Sequence, residues 1–439
     1  GRAIPTQLID NRTPVDRAVL VGAPDRDLPP RLAEEHLLEL ARLTDTAGGQ
    51  VAGFLRQRIS GPNPRFYIGD GKAEELAELV RDRDADLVIF DEELSPAQGK
   101  NLEGRVGVRV MDRSELILDI FATRARSREA RMQVELAQLE YLRPRLKRMW
   151  SHLSRTRGGI GLRGPGETQL ETDRRLIGTR ISDLRGKLKD VAAAREIQRR
   201  ARQGAFRAAL VGYTNAGKSS LLKALSGADV LVEDRLFATL DSTTRSIELE
   251  NGLDALVTDT VGFIRKLPHH LVASFRSTLE EAREADVLLH VVDASHPDRD
   301  EHEEVVRDVL ADLDLSERPL LMVYNKIDRL THEEELALRK RTEALGPDPA
   351  VFVSAHQPES LDSLRRALVE RLRGLLHEVR IRVPAQAGDV LAALYREGEV
   401  VHRDQQGSTM EVTARVPTPL LGRLRARDNL EITEVVGSP

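Results

Sequence analysis

The octapeptide Gly212-Tyr213-Thr214-Asn215-Ala216-Gly217-Lys218-Ser219 reads G-x-x-x-x-G-K-S. It stands between an apolar run, Ala208–Val211, and a stretch with helical spacing, Ser219–Leu225. Strand, glycine-bracketed turn and helix form the setting in which this motif cradles phosphate. Gly212 and Gly217 let the chain curl so that backbone N–H groups face phosphate oxygens, and the helix N-terminus adds a favourable partial charge. Lys218 brings a point charge to the β- and γ-phosphates, and the Ser219 hydroxyl is suited to ligate Mg²⁺. A chance Gly-rich turn would lack the flanking strand and helix. The expected fold class is α/β, with a P-loop domain on a doubly wound sheet.

Three further pieces follow in order. Asp259-Thr260-Val261-Gly262 closes the apolar run Ala255–Thr258. Asp259 is expected to hold Mg²⁺ through a water, and the Gly262 N–H to meet the γ-phosphate. D-x-x-G alone is usually only a turn, so its position carries the reading. Asn325-Lys326-Ile327-Asp328 follows Leu320–Tyr324. A carboxylate at 328 accepts two hydrogen bonds from the N1–H and N2–H₂ edge of guanine. Adenine would leave it desolvated and unpaired, which gives strong discrimination. Lys326 is expected to lay its stem along the base. Ser354-Ala355-His356, after Ala350–Val353, is expected to back the base and aim a main-chain N–H at guanine O6. The substrate implied is GTP, the cofactor Mg²⁺.

The first switch is less decided. Phe237-Ala238-Thr239-Leu240-Asp241-Ser242-Thr243-Thr244 holds three threonines, one of which is expected to ligate Mg²⁺. Spacing does not choose among them, and Thr243 or Thr244 is defensible on the residues alone. Many GTPases place a water-orienting glutamine directly after D-x-x-G, where this chain has Phe263 and then Ile264. An apolar side chain cannot align an attacking water, so slow intrinsic hydrolysis that needs a partner or a distant group is expected.

Outward from this centre, residues 206–377 alternate strand and helix signals, with a further apolar strand at Val287–Val292. Residues 15–121 do the same on a smaller scale, with strands expected at Ala18–Gly22, Gln50–Leu55, Leu87–Phe90 and Val106–Val110. Helices are expected at Ala73–Asp84 and Ser95–Leu102. Residues 124–200 lose strand signals. Met132, Leu136, Leu139, Leu142, Leu146 and Met149 form one stripe, interrupted by Pro144. Leu170, Ile177, Ile181, Leu184, Leu188 and Val191 form a heptad seam. An antiparallel helical hairpin with a Gly/Arg-rich tip at 151–166 follows from these patterns. The tail reads β-α-β-β-α-β, a small ferredoxin-like α+β domain. The expected domains are 1–123 (N-terminal α/β), 124–203 (hairpin), 204–377 (GTP-binding) and 378–439 (tail).

Composition sets outer limits. A length of 439 residues leads one to expect about three domains. Charged residues are 31% and aromatics 3%, which fits a soluble, charge-rich protein with aliphatic cores. With no cysteine, disulfides and thiolate metal sites are impossible. The paired His269-His270 lacks obvious further ligands, so no zinc site is expected. No apolar run approaches the roughly 20 residues of a membrane span. The start, Gly1-Arg2-Ala3-Ile4-Pro5, reads as a trimmed or tagged N-terminus without a secretion signal, and Asn11-Arg12-Thr13 as a chance glycosylation sequon. A cytoplasmic monomer is expected. Gly69-Asp70-Gly71-Lys72 lacks P-loop spacing and reads as the turn that starts a helix rather than a second nucleotide site.

The net charge of −5 conceals a local excess: residues 124–157 carry ten Lys or Arg against three acids, a net +7. Arginine dominates, which suits bidentate phosphate contact. Trp150 beside the tip reads as a buried ring before it reads as a base-stacking one. The charge, together with Arg155, Arg157 and Arg163 in the tip, favours an RNA partner over a merely solvated helix face.

The residues above resemble the HflX family of translational GTPases, relatives of the Obg group. Gly212–Ser219, Leu236–Asp241, Asp259–Ile264 and the run Arg157–Glu167 leading into Thr168–Asp173 carry the resemblance, which covers about residues 15–377. It implies that Thr239 is the switch I magnesium ligand, alongside Ser219, and that Lys218, Thr239 and Gly262 serve catalysis. It implies that the N-terminal region and hairpin engage the ribosome, with ribosomal RNA met by the basic hairpin, and that the GTP form binds the 50S subunit and helps split stalled or idle 70S ribosomes. Two departures stand out: Ser242 replaces a usual proline, and His356-Gln357-Pro358-Glu359-Ser360 replaces a more glycine-rich turn. A GTP-gated RNA- or protein-binding switch in ribosome assembly is the alternative reading, and a nucleotide-independent RNA chaperone a third.

Overall fold

Short apolar runs alternating with amphipathic helices give parallel strands covered by helices, and two sheets of the chain arise in that way. The computed structural model describes residues 16–146, 166–200, 205–227, 235–249, 253–268, 271, 281–346, 348–384, 386–427 and 430–434. The chain divides into two units, Gly1–Thr123 with Ala137–Ile181, and Arg124–Leu136 with Ser182–Pro439.

The first unit contains β1 (Arg17–Gly22), α1 (Pro30–Thr46), β2 (Gln50–Arg56), α2 (Asp70–Asp82), β3 (Leu87–Phe90), α3 (Pro96–Val106) and β4 (Arg109–Asp112), followed by α4 (Arg113–Arg124). Its four strands are parallel in the order β2-β1-β3-β4. Val19, Val21, Phe66, Ile68, Leu76, Val88, Phe90 and Val110 pack in its core. The strand expected over Val106–Val110 begins only at Arg109. Val106 is the last residue of α3, and Gly107, at φ +81°, turns the chain out of the helix in a conformation that glycine adopts without strain. Ser95 and Gln98 close the other end of α3 with a capping box. Gly69 is the N-cap residue of α2, and Lys72 in its first turn is ion-paired to Glu75 at 2.8 Å. Arg113 is fully buried and is neutralised by Glu39 and by Asp91, the latter at 2.8 Å.

Helices α5 (Arg128–Leu142) and α6 (Gly166–Arg200) follow, and the unit boundary cuts both. Pro144 lies in a 3₁₀ turn, Arg143–Arg145, that ends α5. Met132, Leu136, Leu146, Ile181 and Leu184 are buried, and Ile177, Leu188 and Val191 half-buried, so both stripes face packing. Met149, Trp150, the side chain of Leu170 and the tip with Arg155, Arg157 and Arg163 lie outside the described residues, as do Asn11 and His269-His270.

The second unit continues with β5 (Phe206–Gly212), α7 (Lys218–Ser226), β6 (Thr243–Glu248), β7 (Asp254–Asp259), β8 (Val287–Asp293), α8 (Arg299–Asp312), β9 (Leu320–Asn325), α9 (His332–Leu345), β10 (Ala350–Phe352) and α10 (Leu361–Gly374). The sheet order is β10-β9-β8-β5-β7-β6, with only β6 antiparallel to its neighbour. Leu210, Leu221, Val257, Leu289, Val323 and Leu368 fill its core. Four motifs of the nucleotide reading begin at or just beyond the carboxyl end of a parallel strand, β5, β7, β9 or β10, while switch I leads into the edge strand β6.

The tail forms β11 (His377–Pro384), α11 (Gly388–Glu397), β12 (Glu399–Gln406), β13 (Thr409–Val416), α12 (Thr418–Arg425) and β14 (Glu431–Glu434). Its antiparallel order, β12-β13-β11-β14, is that of the expected ferredoxin-like domain. Alternate residues Val379, Ile381, Val383, Met410, Val412 and Ala414 make one apolar face. No helix among the described residues is long and apolar enough to cross a membrane.

His290 sits in the middle of β8, 1% exposed, with no partner for Nδ1 among the described residues. Burial, with Arg307 and Lys218 adding to it, lowers its pKa from 6.5 to about 3. The unfolded chain therefore binds a proton that the fold refuses between these values. Stability is full above pH 6.5 and falls as the pH drops through it. Moving from pH 7 to pH 5 is expected to cost about 2 kcal/mol through this group. In denaturant titrations at the two pH values, His290→Leu should lose that part of the difference. An unchanged difference would contradict the assignment.

Candidate nucleotide-binding site

The turn after β5 is built by close approach as much as by torsion. Gly212 has φ +153°, and a Cβ there would lie 2.3 Å from the Val291 carbonyl oxygen on β8. Gly217 has φ +96°, and a Cβ there would lie 2.2 Å from Asn325 Nδ2. Asn215 between them is also left-handed, at φ +60°. Lys218 opens α7 and folds back over the turn. Its ammonium donates to the carbonyls of Gly212 at 3.1 Å and Tyr213 at 2.9 Å. Burial draws its pKa down to about 8, against the pull of Asp259. An ammonium held this deep gains most from an incoming phosphate.

The segment after β7 is zipped onto the turn. Phe263 N–H donates to Gly212 O at 3.0 Å, and Thr214 N–H to Phe263 O at 2.6 Å. Thr260 Oγ1 donates to Leu210 O at 2.7 Å. Gly262 is then forced by space: a Cβ would meet Thr214 Cα at 2.8 Å and Lys218 Nζ at 3.0 Å. Val261 is buried, and so are the apolar Phe263 and Ile264.

Three oxygen groups meet beside Lys218. The Ser219 hydroxyl donates to Asp259 Oδ2 at 2.6 Å, and Thr239 Oγ1 lies 2.7 Å from Ser219 Oγ. Asp259 Oδ1 is buried with no hydrogen-bond partner among the described residues. Burial pushes the Asp259 carboxyl above its ordinary value, although Lys218 and the two hydroxyls pull it down. Two hydroxyls and a carboxylate with an unused oxygen suit a small hard cation that completes its shell with water and phosphate. The residues present fit Mg²⁺.

Of the three switch threonines, the fold brings only Thr239 to this cluster. Thr243 and Thr244 lie on the edge strand β6, where Thr244 Oγ1 is 2.8 Å from Thr258 Oγ1. Phe237, at φ +54°, is buried and donates its N–H to Thr214 Oγ1 at 2.9 Å. Ala238 lines the cleft, and Leu240 is buried. The Asp241 carboxylate is engaged elsewhere, by Arg126 and Ser127. The cleft is lined by Thr214, Lys218, Ser219, Thr239 and Gly262, and also by Arg235, which sequence reading did not single out.

The third motif is joined to the first by side chains. Asn325 Nδ2 donates to Ala216 O at 2.9 Å, and its Oδ1 accepts from Ala355 N–H at 3.2 Å. Lys326, at φ +66°, donates to Asn215 O at 2.8 Å and to Asp293 Oδ2 at 2.7 Å. Asp293 ends β8 and was missed in the sequence. Burial opposes its ionisation, yet Lys326 and Ser295 hold its pKa below the ordinary value. Asp328 lies in a 3₁₀ turn, Ile327–Arg329, and its Oδ1 accepts the Ser354 hydroxyl at 2.5 Å. His356 N–H donates to Ser354 Oγ at 3.1 Å, and Ser360 Oγ receives Ser354 N–H at 2.8 Å. Thus the unusual turn after Ala355 is closed by Ser360 rather than by glycine. Tyr213 stacks on His302 with ring centroids 3.8 Å apart, and its hydroxyl accepts Arg265 N–H at 3.0 Å.

Three family models match: a GTP-binding GTPase N-terminal region over residues 34–122, a GTP-binding GTPase middle region over 124–202, and a 50S ribosome-binding GTPase over 207–326. GTPase HflX of Caldanaerobacter subterraneus subsp. tengcongensis is 47% identical over 394 residues, 89% of this chain and 90% of the relative. GTPase HflX of Escherichia coli (strain K12) is 43% identical over 411 residues, 92% of this chain and 94% of the relative. A GTP-binding protein from Sulfolobus solfataricus, solved in complex with GDP, is 26% identical and covers 82% of this chain and all of its own, 100%, with a TM-score of 0.43. That score is too low to carry residue correspondences.

The Asn325 amide hydrogen-bonds to both the phosphate turn and the Ala355 loop. Asn325→Ala leaves Ala216 O and Ala355 N–H without their partner, a loss of about 1–3 kcal/mol. Affinity for GDP and for GTP should fall together, about tenfold to a hundredfold, in titrations with fluorescent nucleotides. Undiminished affinity for either would contradict this role.

Proposed function

Since this chain belongs to the HflX family of GTPases, we propose that it is a Mg²⁺-dependent GTP hydrolase that binds the 50S subunit and promotes splitting of stalled or idle 70S ribosomes. The observation that carries the reading is the meeting of Ser219, Thr239 and Asp259 beside Lys218. It supports a magnesium site that includes a switch I residue, which would sense the presence of a γ-phosphate. The match of residues 207–326 to a 50S ribosome-binding GTPase model supports the partner.

In this reading the N–H groups of residues 212–219 cradle the β- and γ-phosphates, and Lys218 neutralises their charge. Ser219, Thr239 and Asp259 would hold Mg²⁺, which when bound would supply charge neutralisation on the phosphates. Asp328, oriented by Ser354, reads the guanine edge, while Lys326, fixed by Asp293 and Asn215 O, lies along the base. Ala355 and His356 back it. Hydrolysis adds water to the γ-phosphorus and breaks its bond to the β,γ-bridging oxygen, giving GDP and inorganic phosphate. Phe263 is buried and apolar, and so cannot orient that water. Intrinsic turnover is therefore slow, and the ribosome supplies or positions the missing group. Gly262 N–H meets the γ-phosphate and reports its loss. The protein acts in the cytoplasm as a monomer.

The basic segment 124–157 and tip residues Arg155, Arg157 and Arg163 supply contact to ribosomal RNA. Sedimentation with 50S particles should show binding with a non-hydrolysable GTP analogue and much weaker binding with GDP. Equal binding in both states would overturn the ribosome-switch reading and leave the GTPase standing. The triple change of Arg155, Arg157 and Arg163 to Ala should weaken binding and flatten its salt dependence by about one unit of slope per lost phosphate contact. An unaltered affinity across a salt series would remove the RNA role of the tip.

A further inference from the structure

Switch I is tied at one end to the phosphate turn and at the other to a helix more than a hundred residues upstream. The Asp241 carboxylate accepts Arg126 N–H at 3.0 Å and Ser127 N–H at 3.2 Å, and it also receives the Ser127 hydroxyl. Ser127 Oγ in turn accepts Ala130 N–H at 3.0 Å, and so caps the first turn of α5. All of these residues belong to the second unit. Two residues before Asp241, the Thr239 hydroxyl lies against Ser219. Leu240 between them is buried, as is Phe237, whose N–H is held by Thr214. Residues 237–241 are thus pinned at Phe237, at Thr239 and at Asp241, with little slack between the last two.

The chemistry of the outer pin is specific. The first N–H groups of a helix have no intrahelical acceptor, and a carboxylate there also favours the positive end of the helix. One carboxylate satisfies three donors at once. An asparagine has a single acceptor oxygen, and its NH₂ repels N–H donors. The Asp241 carboxylate thus faces α5, two residues after the hydroxyl that lies against Ser219.

We propose that Asp241 is a positioning residue for hydrolysis, clamping the start of α5 so that Thr239 is held at the Ser219–Asp259 cluster. By linkage, ordering Thr239 on the triphosphate state must tighten the first turn of α5 to the same degree. This gives the nucleotide a direct route to the helix that opens the basic middle region. The proposal rests on the reading of Thr239 as the ligand of the triphosphate state.

The test uses the full chain in five forms: unchanged, Asp241→Asn, Ser127→Ala, Thr239→Ala, and Asp241→Asn combined with Thr239→Ala. Affinities for GDP and for a non-hydrolysable GTP analogue with Mg²⁺ are measured, with single-turnover hydrolysis and hydrogen exchange of the amides at 126–130. Asp241→Asn should keep GDP affinity within about twofold, weaken the analogue about tenfold, and slow hydrolysis at saturating GTP. Ser127→Ala should shift the same quantities in the same direction by less. Asp241→Asn combined with Thr239→Ala should be no worse than Thr239→Ala alone. The analogue should slow exchange at 126–130 in the unchanged chain, but not in Asp241→Asn or Thr239→Ala. Weakening of GDP and analogue alike by Asp241→Asn would mark a purely structural role and overturn the proposal. So would exchange at α5 that ignores the nucleotide. If Thr239→Ala weakens the analogue while Asp241→Asn does not, the strut fails and the magnesium-site reading survives. If Thr239→Ala itself has no effect, both fall.

Discussion

A single amide side chain assembles the site. Asn325 sits at the end of β9 and reaches across to β5's turn, donating to Ala216 O while accepting from Ala355 N–H. Only a side chain with a donor and an acceptor on one small planar head can satisfy both groups, so aspartate or leucine of similar size cannot substitute. The contact is so close that it dictates its neighbour: position 217 has no room for even a methyl group, because the amide nitrogen would be 2.2 Å away. The glycine of the phosphate motif and the asparagine of the guanine motif are therefore two halves of one constraint, although 108 residues separate them.

From that join the rest of the pocket follows. Lys326, next in sequence, bends in a left-handed conformation to span Asn215 O and Asp293. Lys218 is buried with its ammonium on carbonyl oxygens, and Asp259 is buried with one oxygen that has no hydrogen-bond partner among the described residues. Burial disfavours the charged form of both groups, lowering the Lys218 pKa and raising that of Asp259. Such a site stores its electrostatic gain for a ligand that brings phosphate and a divalent cation together. The same loops rest on the carboxyl ends of parallel strands, where a doubly wound sheet leaves its binding crevice.

Much of this was legible in the sequence, for reasons that differ by element. Strands β3 and β5 and helix α12 were readable because their apolar residues are continuous or periodic and their ends are marked by turn residues. The edge strand β6 was not, since only Ile247 of Thr243–Glu248 is buried and no apolar alternation announces it. The run Val106–Val110 looked like a strand because it is apolar on both sides of Gly107, and only the glycine's left-handed turn splits it into helix end and strand start. The choice among three threonines needed the fold, because all three carry the same hydroxyl. Asp293 was hidden as one more strand-end aspartate with a serine two residues on, and its partner, Lys326, lies on a different strand end. Asp241 looked like part of the nucleotide loop because it follows Thr239 so closely, yet its carboxylate serves α5 instead.

In the proposed function the purine is read by Asp328, a carboxylate that accepts the Ser354 hydroxyl and faces a loop held by Asn325. Calorimetric titration of the full chain with GDP, ADP and xanthosine diphosphate tests this most directly, with Asp328→Asn as the paired variant. The account predicts that the unchanged chain prefers GDP over ADP by about 10,000-fold, and that Asp328→Asn shifts the preference to the xanthosine nucleotide. ADP bound as tightly as GDP by the unchanged chain, or a guanine preference that survives Asp328→Asn, would contradict it.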